Sequence, residues 1–237
     1  MGLAPLPRNA PVSWSLPAYL SYVAKFFQEN AFDHKAIRQW SARSVLQALQ
    51  EKDVMDTVGW FPEQTVQFIW QNASSPDLTN RHQDLAWLAV RGALPVRALL
   101  YTRNVVSAPH CPREDCSEEE SVTHLFVHCQ FAKRVWRRMD GLVSRFIPSS
   151  CVTEDSLIYG LFPGTHTETN IRCCWQIINS VKDALWSARN LMIYQHMEMS
   201  VGECCRLAHS RLQGYVLRDA LKLGADTARA RWGRTTV

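Results

Sequence analysis

Apolar residues recur at helical spacing along nearly the whole chain. Leu16, Tyr19, Leu20, Val23, Phe26 and Phe27 form one stripe, and Val45, Leu46 and Leu49 belong to a short second helix. Pro62 sits where a first helical turn tolerates proline, ahead of Val66, Ile69 and Trp70. "TNRHQDLAWLAVRG" opens on cap-competent Thr79 or Asn80 and closes on Gly92, and Pro95 introduces a further short helix through "VRALLYTRN". "FAKRVWRRMDGLVSRF" reads as a helix that Gly141 could end early, whereas "PSSCVTEDSLIYGLFPGTHTETN" is rich in loop signals. The clearest helix follows, with Cys174, Ile177, Ile178, Val181, Leu185, Ala188, Leu191 and Met192 on one face. A last helix, Val201 to Leu223, places Cys205, Ala208, Leu212, Tyr215 and Val216 together. No stretch alternates apolar and polar residues as a strand would.

The pattern predicts an all-α protein in which helical, bundle-like segments flank a small Cys/His-rich (CCHC) module. We divide it into an N-terminal helical region (1–107), the CCHC module with the helix after it (108–147) and a C-terminal helical region (148–237). Composition agrees with a folded protein: 46% hydrophobic, 10% aromatic and 20% charged, with nine Trp that need a core or a contact surface. The net charge of +4 says little, but residues 201–237 hold seven Lys/Arg against three Asp/Glu, an excess equal to that of the whole chain. A frayed, solvated end is the favoured reading of that tail.

The longest apolar run, "LAWLAV" at 85–90, falls far short of the roughly 18 residues needed to span a membrane, and no signal-peptide pattern opens the chain. Two of the cysteine pairs are adjacent (Cys173-Cys174 and Cys204-Cys205), a spacing that neighbours in a helix cannot bridge. An intracellular, reducing location is expected.

The chemistry concentrates in "CPREDCSEEESVTHLFVHC". Its spacing, C-x4-C-x7-H-x4-C, offers Cys111, Cys116, His124 and Cys129 as three thiolates and one imidazole, a closed tetrahedral set for structural Zn2+. His110 and His128 are rivals, but each adjoins a cysteine, and adjacent side chains rarely reach one small ion together. The alternative is a group of buried, reduced cysteines, against which the segment's Arg113, Glu114, Asp115 and Glu118 to Glu120 argue. On an ideal helix five residues turn about 140°, so the helix carrying Cys129 should begin between His124 and Cys129. The other five cysteines, Cys151 among them, have no ligand spacing and read as small buried hydrophobes. Three Cys and one His leave no open position for catalytic water, and no P-loop, G-x-S-x-G or G-x-G-x-x-G stands elsewhere. No enzymatic role and no small-molecule substrate are expected.

At these residues the chain resembles the reverse-transcriptase zinc-binding domain near the C-terminus of LINE-type (non-LTR) retrotransposon polyproteins. "RHQDLAWLAVRGALPVRALLYTRN" looks like the family's helical lead-in. "HCPREDC", "EESVTHLFVHC" and "FAKRVW" follow in its order, keeping the rhythm E-x-x-x-H-L-F, C-x-F-A and V-W. The flanks "WSLPAYLSYVAKFF" and "ALWSARNLMIYQ" are less specific. The family's common C-x2-C with a following glycine is here C-x4-C with Ser117, which alters the first turn and not the ligand count. The resemblance implies a structural zinc and nucleic-acid contact. It also implies a part of such a polyprotein without the endonuclease and polymerase carboxylates.

Contact with RNA or DNA would fall to the helix after the cluster. Residues 113–120 carry one Arg against five carboxylates and repel phosphate. Measured from Arg134 at 100° per residue, Arg138 and Arg145 fall within about 40° and Arg137 about 60° away, whereas Val135, Met139 and Leu142 cluster at about 110°. Lys133, Arg134, Arg137 and Arg138 are therefore the candidate phosphate contacts, with Arg97, Arg103 and the tail arginines Arg218, Arg229, Arg231 and Arg234 as extensions. A solvated face opposite a buried one is the ordinary alternative. A second reading is a structural or protein-interaction module in which zinc staples helices and Trp60, Trp70 or Trp87 meets a protein partner, although core packing suits the last two.

Overall fold

The computed structural model describes residues 61–233. The apolar stripe at 16–27, the short helix near 45–49, Trp60 and Arg234 lie outside them. All described residues fall within one unit, Thr57–Val237.

Among the described residues eight α-helices follow one another: α1 (Glu63–Ala73), α2 (Asn80–Val90), α3 (Arg97–Thr102), α4 (Gln130–Val143), α5 (Glu154–Tyr159), α6 (Glu168–Gln195), α7 (Val201–Leu223) and α8 (Ala225–Trp232). A π turn, His124–His128, precedes α4. Among the described residues there is no strand, only an isolated antiparallel bridge between His110 and Glu119. The all-α reading holds. Local chemistry sets the boundaries. The Thr79 hydroxyl accepts from the His82 amide to start α2. Ser200 and Glu203 form a capping box at α7. Gly160 ends α5 in the left-handed region at φ 73°, where a side chain would also crowd Asn72 at 3.1 Å. No helix among the described residues is long and apolar enough to cross a membrane.

The long helix α6 is the axis of the unit, and α2, α4, α7 and the π turn all pack on it. The sequence pattern gives it one apolar face, and the structure encloses it. From Cys173 to Leu185 every residue is buried, including Gln176, Asn179, Ser180, Lys182 and Asp183. Polar groups enter this core with partners. Asp183 lies 2.7 Å from Arg81 Nε on α2 and 2.8 Å from Arg211 Nε on α7. His82 Nε2 stands 3.9 Å away, an electrostatic rather than a hydrogen-bond distance. The other His82 nitrogen lies 2.6 Å from the Tyr215 hydroxyl, which accepts from the Thr79 amide at 3.1 Å. Burial pushes the Asp183 carboxyl up, but His82 and Arg81 outweigh it and hold the group below its usual value.

As far as residue 233, the C-terminal segment is not frayed. Trp232, 1% exposed, meets Phe146 edge-on at 5.6 Å, and both its indole N–H and the Arg231 guanidinium donate to Asp219. Arg218 donates to the Asp77 carbonyl and lies over Tyr215, and Arg229 pairs with Asp226. Composition marked a basic tail, whereas the fold ties Arg218 and Arg231 into part-buried contacts and leaves Arg229 in an exposed surface pair. Trp87, expected in the core, is 42% exposed beneath the Arg91 guanidinium.

Candidate metal centre

The segment from 109 to 120 folds back on itself. Glu120 donates its amide to the Pro109 carbonyl at 2.9 Å and Cys111 to Glu118 at 2.8 Å, while a turn joins the Cys116 amide to the Arg113 carbonyl at 3.0 Å. This places Cys111 and Cys116 at the mouth of a short loop. The Ser121 hydroxyl then accepts from the His124 amide at 2.9 Å and starts the next turn.

That turn is where the ideal-helix argument fails. His124 to His128 form a π turn closed by the Cys129 amide on the His124 carbonyl at 2.8 Å. A π turn hydrogen-bonds i to i+5, so residues five apart are brought together instead of turning away. Cys129 leaves the turn with ψ 135° and caps α4, which begins at Gln130 rather than between His124 and Cys129. Trp136 donates its indole N–H to the Phe126 carbonyl at 2.6 Å, tying the turn to α4 and satisfying a carbonyl that the wide turn leaves free.

One ligand-type atom from each of Cys111, Cys116, His124 and Cys129 lies within 4.8 Å of every other, and Cys116 Sγ is 3.4 Å from His124 Nε2. Zinc bonds of about 2.3 Å to sulfur and 2.0 Å to nitrogen set tetrahedral ligand atoms about 3.5–3.8 Å apart. The group fits such an ion with a small contraction. Cys111, His124 and Cys129 are buried and Cys116 is half-buried. The Cys111 thiol donates to Cys129, and with the Phe131 and Ala132 amides at the start of α4 it lowers the Cys129 thiol well below its usual value against the opposing effect of burial. Cys111, as donor of that pair and a buried group, is pushed up. A metal bound here would displace the remaining thiol proton to solvent, since the ligating form of cysteine is the thiolate. The rival histidines are exposed: His110 pairs with Glu119 through its backbone, and His128 Nε2 lies 3.0 Å from the Glu154 carboxylate.

The residue that the sequence reading misplaced is Glu120. Counted with the solvated acidic run, it is 0% exposed. Arg189 of α6, itself 3% exposed, donates to both its oxygens at 3.0 and 2.8 Å, and the Arg97 amide adds a third bond at 2.7 Å. This two-pronged pair fastens the ligand loop to the central helix. The available signal was position: Glu120 is the glutamate of the E-x-x-x-H-L-F rhythm.

Lys133, Arg134, Arg137 and Arg138 are all exposed on α4, opposite buried Phe131, Ala132, Val135, Met139, Leu142 and Val143. Gly141 lies within the helix, and Arg145 follows it in the next turn. Arg134 Nη2 lies 3.6 Å from Asp115 of the loop, with both side chains more than half exposed, so the pair is weak. Arg113 caps the Phe131 ring at 3.5 Å. Arg97 is half-buried, its guanidinium donating to the His110 carbonyl at 3.4 Å in an exposed contact, and exposed Arg103 caps the far end of α3. Of the five remaining cysteines, four are buried and Cys151 is half-buried.

Residues 40–136 match the family model described as zinc-binding in reverse transcriptase (zf-RVT). Over these residues the chain carries a zinc-binding domain of reverse transcriptase, and its Cys/His cluster is the group described above. The match ends within α4. No curated protein and no solved structure matches the chain.

Proposed function

We propose that this is a non-catalytic zinc-binding domain protein of LINE-type retrotransposon descent. Cys111, Cys116, His124 and Cys129 hold one structural Zn2+, and α4 binds RNA or DNA through its phosphates. The observation that carries this reading is the arc of Lys133, Arg134, Arg137 and Arg138 on the helix that Cys129 caps. The metal fixes where that helix starts, and the helix presents its charges to solvent. Arg97 and Arg103 belong to the loop side of the same domain and contribute less, Arg97 being committed to the His110 carbonyl. Fluorescence anisotropy with labelled single-stranded RNA and duplex DNA over a salt series tests the reading. The apparent affinity should fall steeply with salt, and Arg134, Arg137 and Arg138 changed together to Ala should flatten that slope by about one per lost contact. An unchanged slope contradicts it.

Exposed Leu217 (62%) and Leu221 (80%) on α7 favour one rival. In it, zinc only staples the helices and a protein partner covers an apolar surface. Absence of nucleic-acid binding at low salt would select it.

A further inference from the structure

The family match ends at Trp136, yet the basic arc runs on and meets a second helix. α4 packs along α7. The Arg138 charge acts on Cys205 of α7, and the Arg145 charge acts on His209. Around α4, Arg138 stands at the edge of the exposed arc beside buried Leu142, with Arg134 about 40° farther into solvent. Around α7, with Cys205 as origin, His209 lies at about 40° and Arg206 at about 100°. Both are on the flank that leads from the α4 contact into solvent. Arg145 is anchored by its neighbour Phe146, buried against Trp232, and its Nη1 stands 3.7 Å from the position of a Cβ on Gly233. Arg134, Arg138, Arg145 and Arg206 are exposed and His209 is half-buried. The nearby carboxylates are Asp115 on Arg134 and Glu203 beside Arg206. Both are exposed, and they weaken the local field without cancelling it.

We propose that the seam between α4 and α7 is a groove for a phosphodiester backbone, with Arg134, Arg138 and Arg145 on one wall and Arg206 and His209 on the other. The proposal rests on the nucleic-acid reading above and extends it onto α7, outside the matched residues. Arg134, Arg138, Arg145 and Arg206 carry the same sign of charge, and a polyanion lying between the walls relieves their repulsion; His209, held below its ordinary value by burial and by Arg145, adds a hydrogen-bonding ring rather than a charge. Guanidinium forks match phosphate oxygens in pairs.

The test uses the full chain with its zinc, labelled single-stranded RNA and labelled duplex DNA, and a potassium chloride series. Arg145→Ala and Arg206→Ala should each weaken binding about 3- to 10-fold and lower the salt slope by about one. Arg206→Lys should retain most of the affinity. Lys222→Ala, exposed near the far end of α7, should change nothing. Matching thermal melts show that the variants fold, and Arg206→Gln replaces any that does not. If Arg134, Arg137 and Arg138 changed to Ala weaken binding while Arg145→Ala and Arg206→Ala do not, the seam is overturned and the α4 reading stands. If the wild-type chain binds neither nucleic acid, both fall. Arg206-dependent binding to phosphatidylserine vesicles without nucleic-acid binding overturns the proposal in favour of a membrane surface.

Discussion

From Cys111 to Cys129 the only buried residues are Cys111, Glu120, His124, Leu125, Phe126 and Cys129, and the chain between them is polar. An equal length of α6, Cys173 to Leu191, is buried almost throughout. The first segment closes around donor atoms and one ion pair; the second is enclosed by α2, α4 and α7. Apolar burial is non-directional and summed over many contacts, so it survives the loss of one partner. A ligand set and a buried carboxylate are directional, and they fail when one member is removed. The two regions should therefore answer the same perturbations differently.

Metal removal gives the largest separation. Structural zinc contributes about 10–16 kcal/mol to folding in small zinc domains. Chelation, or Cys129→Ala, should abolish amide-exchange protection across 109–136 while the α6–α7 hairpin keeps most of its own. Simultaneous loss in both regions would show that they form one cooperative unit. The Glu120–Arg189 pair comes next. Arg189→Ala strands a buried carboxylate and should cost about 3–5 kcal/mol in urea unfolding. Replacing both partners by apolar residues should recover much of that loss.

Inside α6 the expected sign reverses. Lys182 is fully buried, with its ammonium 5.5 Å from the Phe126 ring and 5.0 Å from Trp175. Its one hydrogen bond reaches the Ile158 carbonyl at 3.4 Å. Burial lowers it from 10.5 to about 7. The unfolded chain then holds more protons between those two values, so stability rises with pH through that window and is lowest below it. Lys182→Met should stabilise the fold by a few kcal/mol near neutral pH and below, with the gain shrinking as pH approaches 10. A destabilised variant would mean that the amine is better compensated than its contacts suggest. The smallest effect belongs to the exposed pair of Arg134 and Asp115. Asp115→Ala should change stability by less than about 0.5 kcal/mol, and by freeing Arg134 it should slightly strengthen RNA or DNA binding.

What was legible in the sequence follows the same division. Two-faced helices with caps declare themselves, and α7 spans Val201–Leu223 as its apolar spacing predicts. The face of α4 was readable because Val135, Met139 and Leu142 fix its phase against Arg134 and Arg138. An enclosed helix is harder to read. Asp183, Lys182 and Arg189 look like solvent-facing charges, because only tertiary contacts show that they are buried. Glu120 was hidden in the same way, in a run whose other members, Glu118 and Glu119, are exposed. The four donors could be found by spacing, but the π turn that unites the last two could not. An α-helical step is the default expectation, and the wider turn depends on tertiary contacts, including the Trp136 bond to the Phe126 carbonyl.

X-ray absorption at the zinc edge, on protein purified without added metal, bears most directly on the cluster. The account predicts one zinc per chain, with three sulfur neighbours at about 2.3 Å and one nitrogen at about 2.0 Å. A metal-free protein that melts identically after chelation, or a first shell dominated by oxygen, would contradict it.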